Sequence, residues 1–209
     1  MSKSLYSLIL SDDIVNMIDA KAKLMNESRS SLINQILAEY VSYETPEHRM
    51  RRLFGLIEQQ MRDTTEQFRL MLGQNDSAFS AMSVLKYKYN PSVRYSVTLF
   101  GESDNLGELR VMLRTQNANL IDDFESFVNA WNDVENKAFK GTIDITMPQP
   151  CVMVRRLNVP KNVETADDIA KAVSDYITCA DNGIKLFLSA PNELERYYIN
   201  CYEQNKIRV

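Results

Sequence analysis

The hydrophobic and polar positions at the start of the chain alternate with a period of two and then change to helical spacing. Between Ser4 and Leu10, the side chains of Tyr6, Leu8 and Leu10 fall on one side of an extended backbone. This alternation predicts a strand over 4–10. Because even an isolated two-stranded hairpin is only marginally stable, and the next segments read as helix, we expect a second chain to supply the missing strand.

Two amphipathic helices are predicted after this strand. Ser11 is placed to begin the first helix, and Asn26 suits a left-handed residue that ends it. Ser28 is placed to cap the second helix. The stripe that the second helix would bury consists of Leu32, Ile33, Ile36, Leu37 and Tyr40.

A third, longer helix is predicted from about Pro46 to Leu72. Its apolar residues keep a spacing of four and three, and they are Met50, Phe54, Ile57, Met61, Phe68 and Met71. Two placements stay open: a short parallel coiled coil between two chains, or a helix packed along its own C-terminal domain. The segment from Gly73 to Ser77 interrupts the periodicity and marks a domain boundary.

The remainder of the chain mixes alternating and helical patterns. The predicted strands are Val84–Tyr89, Val93–Phe100, Leu109–Leu113, Thr142–Met147, Val152–Arg156 and Ile184–Ser189. The predicted helices are Asn119–Glu135, Thr165–Ala180, which Asn182-Gly183 would end, and Pro191–Asn205. From Leu109 onward this order is βαββαβ, as in ferredoxin-like domains. The predicted class is α+β, with domains at 1–44, 45–75 (the connecting helix) and 80–209.

Composition narrows the functional classes. The chain has 209 residues and a net charge of −4, with 44% hydrophobic and 25% charged residues, as in ordinary globular proteins. No signal peptide or membrane-spanning run is visible, so a cytoplasmic location is expected. A single histidine, His48, and three scattered cysteines do not predict a metal site. We find no phosphate-binding glycine loop and no pattern of nucleophile and base, and we therefore expect neither a cofactor nor an enzyme.

Two motifs stand out between Ser4 and Tyr43. The first is the strand and its exit, Tyr6-Ser7-Leu8-Ile9-Leu10-Ser11-Asp12-Asp13. The second is the turn and the start of the second helix, Asn26-Glu27-Ser28-Arg29-Ser30-Ser31-Leu32-Ile33. With these motifs, the stretch Ser4–Tyr43 resembles the ribbon-helix-helix family of dimeric DNA-binding proteins. Asn26 stands where the family usually has glycine, and asparagine also tolerates the left-handed backbone.

The resemblance implies a prokaryotic transcription repressor that binds double-stranded DNA as a homodimer. The C-terminal domain, which the resemblance does not cover, would form higher oligomers, sense a ligand or bind a partner. The two strands would form a ribbon in the major groove. Leu5, Ser7 and Ile9 would then contact bases. The implied phosphate contacts are Lys3, Ser28, Arg29, Ser30, Arg49, Arg51 and Arg52. The implied dimer core is Tyr6, Leu8, Leu10, Ile33, Ile36 and Leu37.

Two other functions stay open. The outer ribbon face offers Leu5 and Ile9 where the family commonly has polar residues that read base edges. In addition, residues 1–44 contain four lysines and arginines against six aspartates and glutamates. These features are typical of an interaction protein whose ribbon only dimerises and contacts another protein. A plasmid-maintenance or antitoxin protein that binds DNA is the remaining alternative.

Overall fold

The structure, a computed structural model, describes residues 5–41, 43, 46–64, 67–71, 78–100, 105–141, 143–158, 165–204 and 209. Lys3 and Ser4, the predicted boundary at 73–77 and Thr142 lie outside the described residues. The chain forms two compact units, Met1–Arg49 and Met50–Val209. In the described part of the chain, the structure contains no helix long and apolar enough to cross a membrane.

Three helices precede the first strand: α1 (Asp12–Leu24), α2 (Arg29–Tyr40) and α3 (Pro46–Thr64). The predicted N-terminal strand, and with it the ribbon-helix-helix architecture, is therefore wrong. Residues 5–11 form no helix or strand. An alternating pattern gives a strand only when a second strand pairs with it, and the described residues of this unit provide none.

The turn between α1 and α2 is formed as its residues predict. Asn26 has φ = 55°, which confirms its left-handed conformation. Ser28 is the N-cap of α2, and its side-chain oxygen accepts a hydrogen bond from the Ser31 backbone N–H at 3.1 Å. Ser11 precedes α1 in an extended conformation without a side-chain capping hydrogen bond. Both helices thus begin where the sequence places them.

The second unit contains one six-stranded sheet in which all neighbours are antiparallel. Its strands are β1 (Arg69–Met71), β2 (Ala78–Val84), β3 (Ser92–Leu99), β4 (Asn105–Arg114), β5 (Ile145–Gln149) and β6 (Val152–Asn158). Their order across the sheet is β1-β2-β3-β4-β6-β5. Three further helices follow from β4 onward: α4 (Ala118–Ala138), α5 (Ala166–Phe187) and α6 (Leu194–Glu203).

The core lies between these helices and one face of the sheet, which we call the inner face. Tyr95 of β3 and Met153 of β6 are fully buried on it, together with Trp131 of α4 and Ile177 of α5. The predicted long helix ends at Thr64, and its residues Leu53, Ile57 and Met61 belong to this core. The apolar stripe of α3 is thus buried within its own chain.

The ferredoxin-like order is also wrong, because the predicted last strand is the end of a helix. Helix α5 continues through Asn182-Gly183 to Phe187. Gly183 lies inside it against the ring of Trp131, and a Cβ atom there would stand 2.5 Å from Trp131 Cζ3. The glycine that reads as a helix end is needed for close packing of α5 on α4.

A buried ion pair lies in this core. Arg155 of β6 donates from Nε to Glu135 Oε2 of α4 at 2.8 Å, and both side chains are fully buried. Glu135 Oε1 accepts hydrogen bonds from Trp131 Nε1 at 2.9 Å and from the Tyr176 hydroxyl at 2.5 Å. Burial alone would lower the pKa of Arg155, but Tyr176 and Glu135 beside it raise that pKa above its ordinary value. The side chains of Glu135 and Arg155 are thus joined inside the core by hydrogen bonds, as buried polar groups require, while Arg155 Nη2 is buried without a hydrogen-bond partner in the described structure.

Candidate functional site

The N-terminal unit leaves most of its large apolar side chains exposed. Among its described residues, the buried hydrophobic side chains are Ala22, Leu32 and Ala38. The exposed ones, called here the exposed apolar set, are Leu5, Tyr6, Leu8, Ile9, Leu10, Ile14, Met17, Leu24, Met25, Ile36, Leu37, Tyr40, Val41 and Tyr43. Two alanines and a leucine cannot form a core for two helices. The unit therefore lacks the buried apolar area that stabilises a fold.

The residues predicted as a dimer core belong largely to this set. Tyr6, Leu8 and Leu10 are exposed in the segment before α1, and Ile36 and Leu37 are exposed on α2. Ile33 is partly buried. Neither burial within the chain nor a strand accounts for these apolar positions, and the homodimer stays a prediction.

The residues predicted to contact bases are fully accessible. Leu5 and Ile9 have relative exposures of 98% and 103%, and Ser7 between them is also exposed. The ribbon that would carry them into the major groove is absent from the structure. Their contact with bases therefore stays a prediction without the architecture from which it came.

The start of α2 holds three of the predicted phosphate contacts, and one of them is already paired. Arg29 Nε donates to Asp19 Oδ1 of α1 at 2.6 Å, and Arg29 Nη2 pairs with Asp19 Oδ2. The hydrogen bond from Arg29 holds the pKa of Asp19 below its ordinary value, and the same bond raises the pKa of Arg29. Ser28 caps the helix and Ser30 is exposed. Sequence reasoning missed Asp19 as a competitor for Arg29.

The acidic residue before the cap is also engaged with α2. Glu27 Oε2 accepts hydrogen bonds from Gln35 Nε2 at 2.7 Å and from Ser31 Oγ at 3.3 Å. The turn and the first part of α2 are thus tied together by side chains. This fixes the direction of the backbone N–H groups at the helix start, which can hold an anion.

The remaining predicted phosphate contacts lie on α3 or outside the described residues. Arg49 is exposed in the first unit. Arg52 is exposed and Arg51 is partly buried, both in the second unit. Lys3 lies outside the described residues. The structure thus brings together Ser28, Arg29 and Ser30 as one group.

The second unit carries a surface feature that the sequence reasoning did not identify. A cavity of about 740 Å³ at one end of the sheet is lined by Lys88, Tyr89, Pro91, Arg114, Thr115, Gln116 and Asn117. Tyr89 and Asn90 both have positive φ, 67° and 46°, in the hairpin between β2 and β3. A tyrosine with a left-handed backbone is uncommon, and no simple sequence pattern predicts one. No group of metal-ligating side chains occurs among the residues that the structure describes.

No protein-family model, no curated protein and no solved structure matches this chain. The function therefore has to be argued from the residues themselves.

Proposed function

We propose that the protein is a sequence-specific DNA-binding regulator of transcription that works as a homodimer or higher oligomer, with the N-terminal units of its chains associated. The observation that carries the proposal is the exposed apolar set of the N-terminal unit. Full burial of one Val, Leu, Ile, Phe or Met side chain is worth roughly 1.5–3 kcal/mol, so covering even a few of these residues favours association. A second copy offers the same set and is always present at the same concentration.

The helix pair supports the DNA-binding part of the proposal. A turn of four residues, Met25–Ser28, joins α1 to α2. Helix pairs with turns of about this length recur in DNA-binding proteins, although this is an analogy of local structure. The start of α2 presents Arg29, Ser30 and free backbone N–H groups, which are phosphate-binding groups.

A second candidate function is a protein-interaction role without DNA. The pairing of Arg29 with Asp19 favours it, because this cation is partly neutralised before any phosphate arrives. The excess of acidic residues in 1–44 favours it as well. In this case the exposed apolar set would contact a different protein.

Sedimentation tests the assembly. We expect the wild-type chain to sediment as a dimer or larger species at micromolar concentration. Leu37→Asp on the exposed face of α2 should shift it to monomer, because a carboxylate would be desolvated in the interface. Asn34→Asp, an exposed polar position on the same helix, is the matched control and should leave the oligomer unchanged. A wild-type monomer would contradict the proposal.

A DNA titration tests the DNA-binding part of the proposal. Labelled duplexes that tile the region upstream of the gene are titrated with the wild-type chain at several salt concentrations. Specific binding should prefer one duplex and weaken as salt rises, because phosphate contacts release counterions. Asp19→Asn frees Arg29. The slope of log K against log salt concentration should then steepen by about one, the value of one further phosphate contact. Absence of binding to every duplex would favour the protein-interaction role.

A further inference from the structure

The sheet of the second unit has a face opposite to the core, which we call the outer face. The registers place Met82 of β2, Arg94 of β3 and Met112 of β4 side by side on it. Their neighbours along the strands, such as Tyr95 and Val111, point to the inner face and are fully buried. Arg94 and Met112 are partly exposed. The outer face is thus the polar side of a sheet that covers its core with the other side.

Arginine dominates the charge of this outer face. In the described strands, five arginines point outward against one glutamate, Glu108, and these arginines are Arg69, Arg94, Arg110, Arg114 and Arg156. Arg69 and Arg94 both oppose Met82 from its two sides. Arg94 opposes Met112, the residue two positions from Arg110. Arg110 and Arg114 are thus diagonal neighbours of Arg94, and such neighbours lie about 7–8 Å apart. Because Arg69 lies two strands from Arg94 and Glu108 stands opposite Arg156, the cationic patch is centred on β3 and β4.

Most of these guanidinium groups have no carboxylate partner among the described residues. Of the five, Arg156 has an ion-pair partner among the described residues, Asp144 at 3.7 Å. The described residues provide no carboxylate partner for Arg69, Arg94, Arg110 or Arg114. The Nε atom of Arg94 is buried without a hydrogen-bond partner in the described structure.

We propose that the outer face binds the phosphate backbone of duplex DNA. This inference rests on the proposed function and adds a second contact surface to it. The whole chain has a net charge of −4, so cations gathered on one face create a local attraction for a polyanion that the average charge hides. Ser96 and Thr98 lie among the arginines and supply hydroxyl groups, which also bind phosphate, whereas Ser80 is buried and its hydroxyl lies 3.2 Å from that of Ser96.

The residue types argue for duplex DNA over other occupants. A second copy of the same face would bring arginines against arginines, and like charges repel. Arginine and methionine are enriched at protein interfaces as well, so what favours DNA over a protein partner is the charge, five arginines against one glutamate. Single-stranded nucleic acid is bound through aromatic platforms, and the outward positions of the described strands hold no aromatic residue. Arg114 also lines the cavity beside Lys88, so the cationic surface continues past the end of β4.

The test compares two triple variants that lose the same charge. The outer-face variant is Arg94→Gln, Arg110→Gln and Arg114→Gln, and the control is Lys137→Gln, Lys171→Gln and Arg196→Gln on the exposed sides of α4, α5 and α6. Each is titrated as the full-length chain with the duplex that the wild type binds best. For the outer-face variant, we expect the slope of log K against log salt concentration to be shallower by about 2–3, because three phosphate contacts are removed. Its affinity at low salt should fall by about tenfold or more. The control should match the wild type.

The outcomes separate this inference from the function on which it rests. Absence of wild-type binding to any duplex overturns both. Wild-type binding with equal slopes for the two triple variants overturns the outer-face inference alone. Tighter binding of a single strand than of the duplex, or a change of oligomeric state in the outer-face variant with unchanged DNA affinity, also overturns it.

A second measurement does not depend on how the variants fold. The arginine Nε–Hε signals of the wild-type chain are followed by NMR while duplex is added. Signals from Arg94, Arg110 and Arg114 should shift, and that of Arg196 should not. Unmoved outer-face signals with bound duplex would overturn the inference.

Discussion

The two units of this chain differ in how far they bury their apolar residues. In the C-terminal unit, Trp131, Tyr95 and Tyr176 are fully buried, and the core even contains the charged pair of Glu135 and Arg155. In the N-terminal unit, residues as apolar as Leu5 and Ile9 are almost fully exposed. Apolar content alone therefore does not tell whether a segment is folded on itself. Among the described residues, one unit buries a core of large apolar side chains and the other leaves most of them exposed.

The largest expected effect removes one partner of the buried ion pair. Arg155→Met leaves the Glu135 carboxylate buried without its cation, and such a loss costs about 3–5 kcal/mol. Urea unfolding followed by Trp131 fluorescence measures it, because this tryptophan is the only one in the chain and lies in the C-terminal unit. A loss below about 1 kcal/mol would show that this ion pair does not hold the core together.

The double variant Glu135→Leu with Arg155→Met is its control. With both charges gone, an apolar pair of similar volume should recover most of the lost stability.

The urea midpoint of the wild-type chain, followed by Trp131 fluorescence, should be independent of protein concentration. Helix content in the N-terminal unit should instead rise with concentration as chains associate.

The next effect tests how tightly the C-terminal core is packed. Gly183→Ala would place a methyl group 2.5 Å from Trp131 Cζ3, and overpacking of this kind costs about 1–3 kcal/mol. The matched control is Gly55→Ala in α3, where a Cβ atom meets nothing within 4 Å. That change should stabilise the chain by up to about 1 kcal/mol through helix propensity. Equal effects in thermal unfolding would show that Trp131 does not constrain Gly183.

A smaller effect is expected at the start of α2. Ser28→Ala removes the acceptor for the Ser31 N–H, and loss of an N-cap costs about 1 kcal/mol. Amide hydrogen exchange should report faster exchange at Ser31 and its neighbours in α2, with the strands of the C-terminal unit unchanged. Ser30→Ala, at an exposed position within the helix, is the control and should exchange like the wild type. Similar exchange in both variants would mean that the cap does not hold this helix.

The smallest effect is the titration of Asp19. The hydrogen bond from Arg29 lowers the pKa of this carboxyl, so carbon-detected NMR should place its midpoint below the ordinary value of 3.8. In Arg29→Gln the midpoint should return toward that value. The sign follows from linkage: the pair stabilises the helix hairpin fully above pH 3.8, and this contribution is lost as the pH falls through the lowered pKa. An unchanged midpoint in Arg29→Gln would show that Arg29 does not pair with Asp19 in solution.

Local signals predicted the helix starts well. Ser28 caps α2 and Asn26 adopts the left-handed backbone, because these short polar side chains decide the geometry of a turn with their nearest neighbours. The predicted strand Val84–Tyr89 is wrong, because β2 ends at Val84 and the left-handed Tyr89 and Asn90 belong to the hairpin turn, and β1 lies within the predicted third helix. The α+β class and the strands β3, β4 and β6 follow from their alternating patterns. Short-range chemistry was enough for these features.

The errors arose where a distant contact decides the structure. Alternation over 4–10 predicted a strand, but the described residues of the unit hold no strand to pair with it. Gly183 predicted a helix end, but the ring of Trp131, distant in sequence, takes the space that its missing side chain leaves. The alternation of β6 predicts that Arg155 is buried. Its side chain points away from those of Val154 and Arg156 and shares the face of the buried Met153. Its partner Glu135 has a comparable signal, because it stands at helical spacing from Phe124, Val128 and Trp131 on the buried face of α4.

The buried pair of Glu135 and Arg155 also has a consequence for descent. Loss of either residue alone leaves a buried charge without its counterpart, so a lineage cannot easily exchange the two one at a time. Where related chains are found, we expect them to keep both residues or to have replaced both by apolar ones. The two positions should therefore covary, and this joint pattern would identify relatives of the C-terminal unit even where the rest of the sequence has diverged.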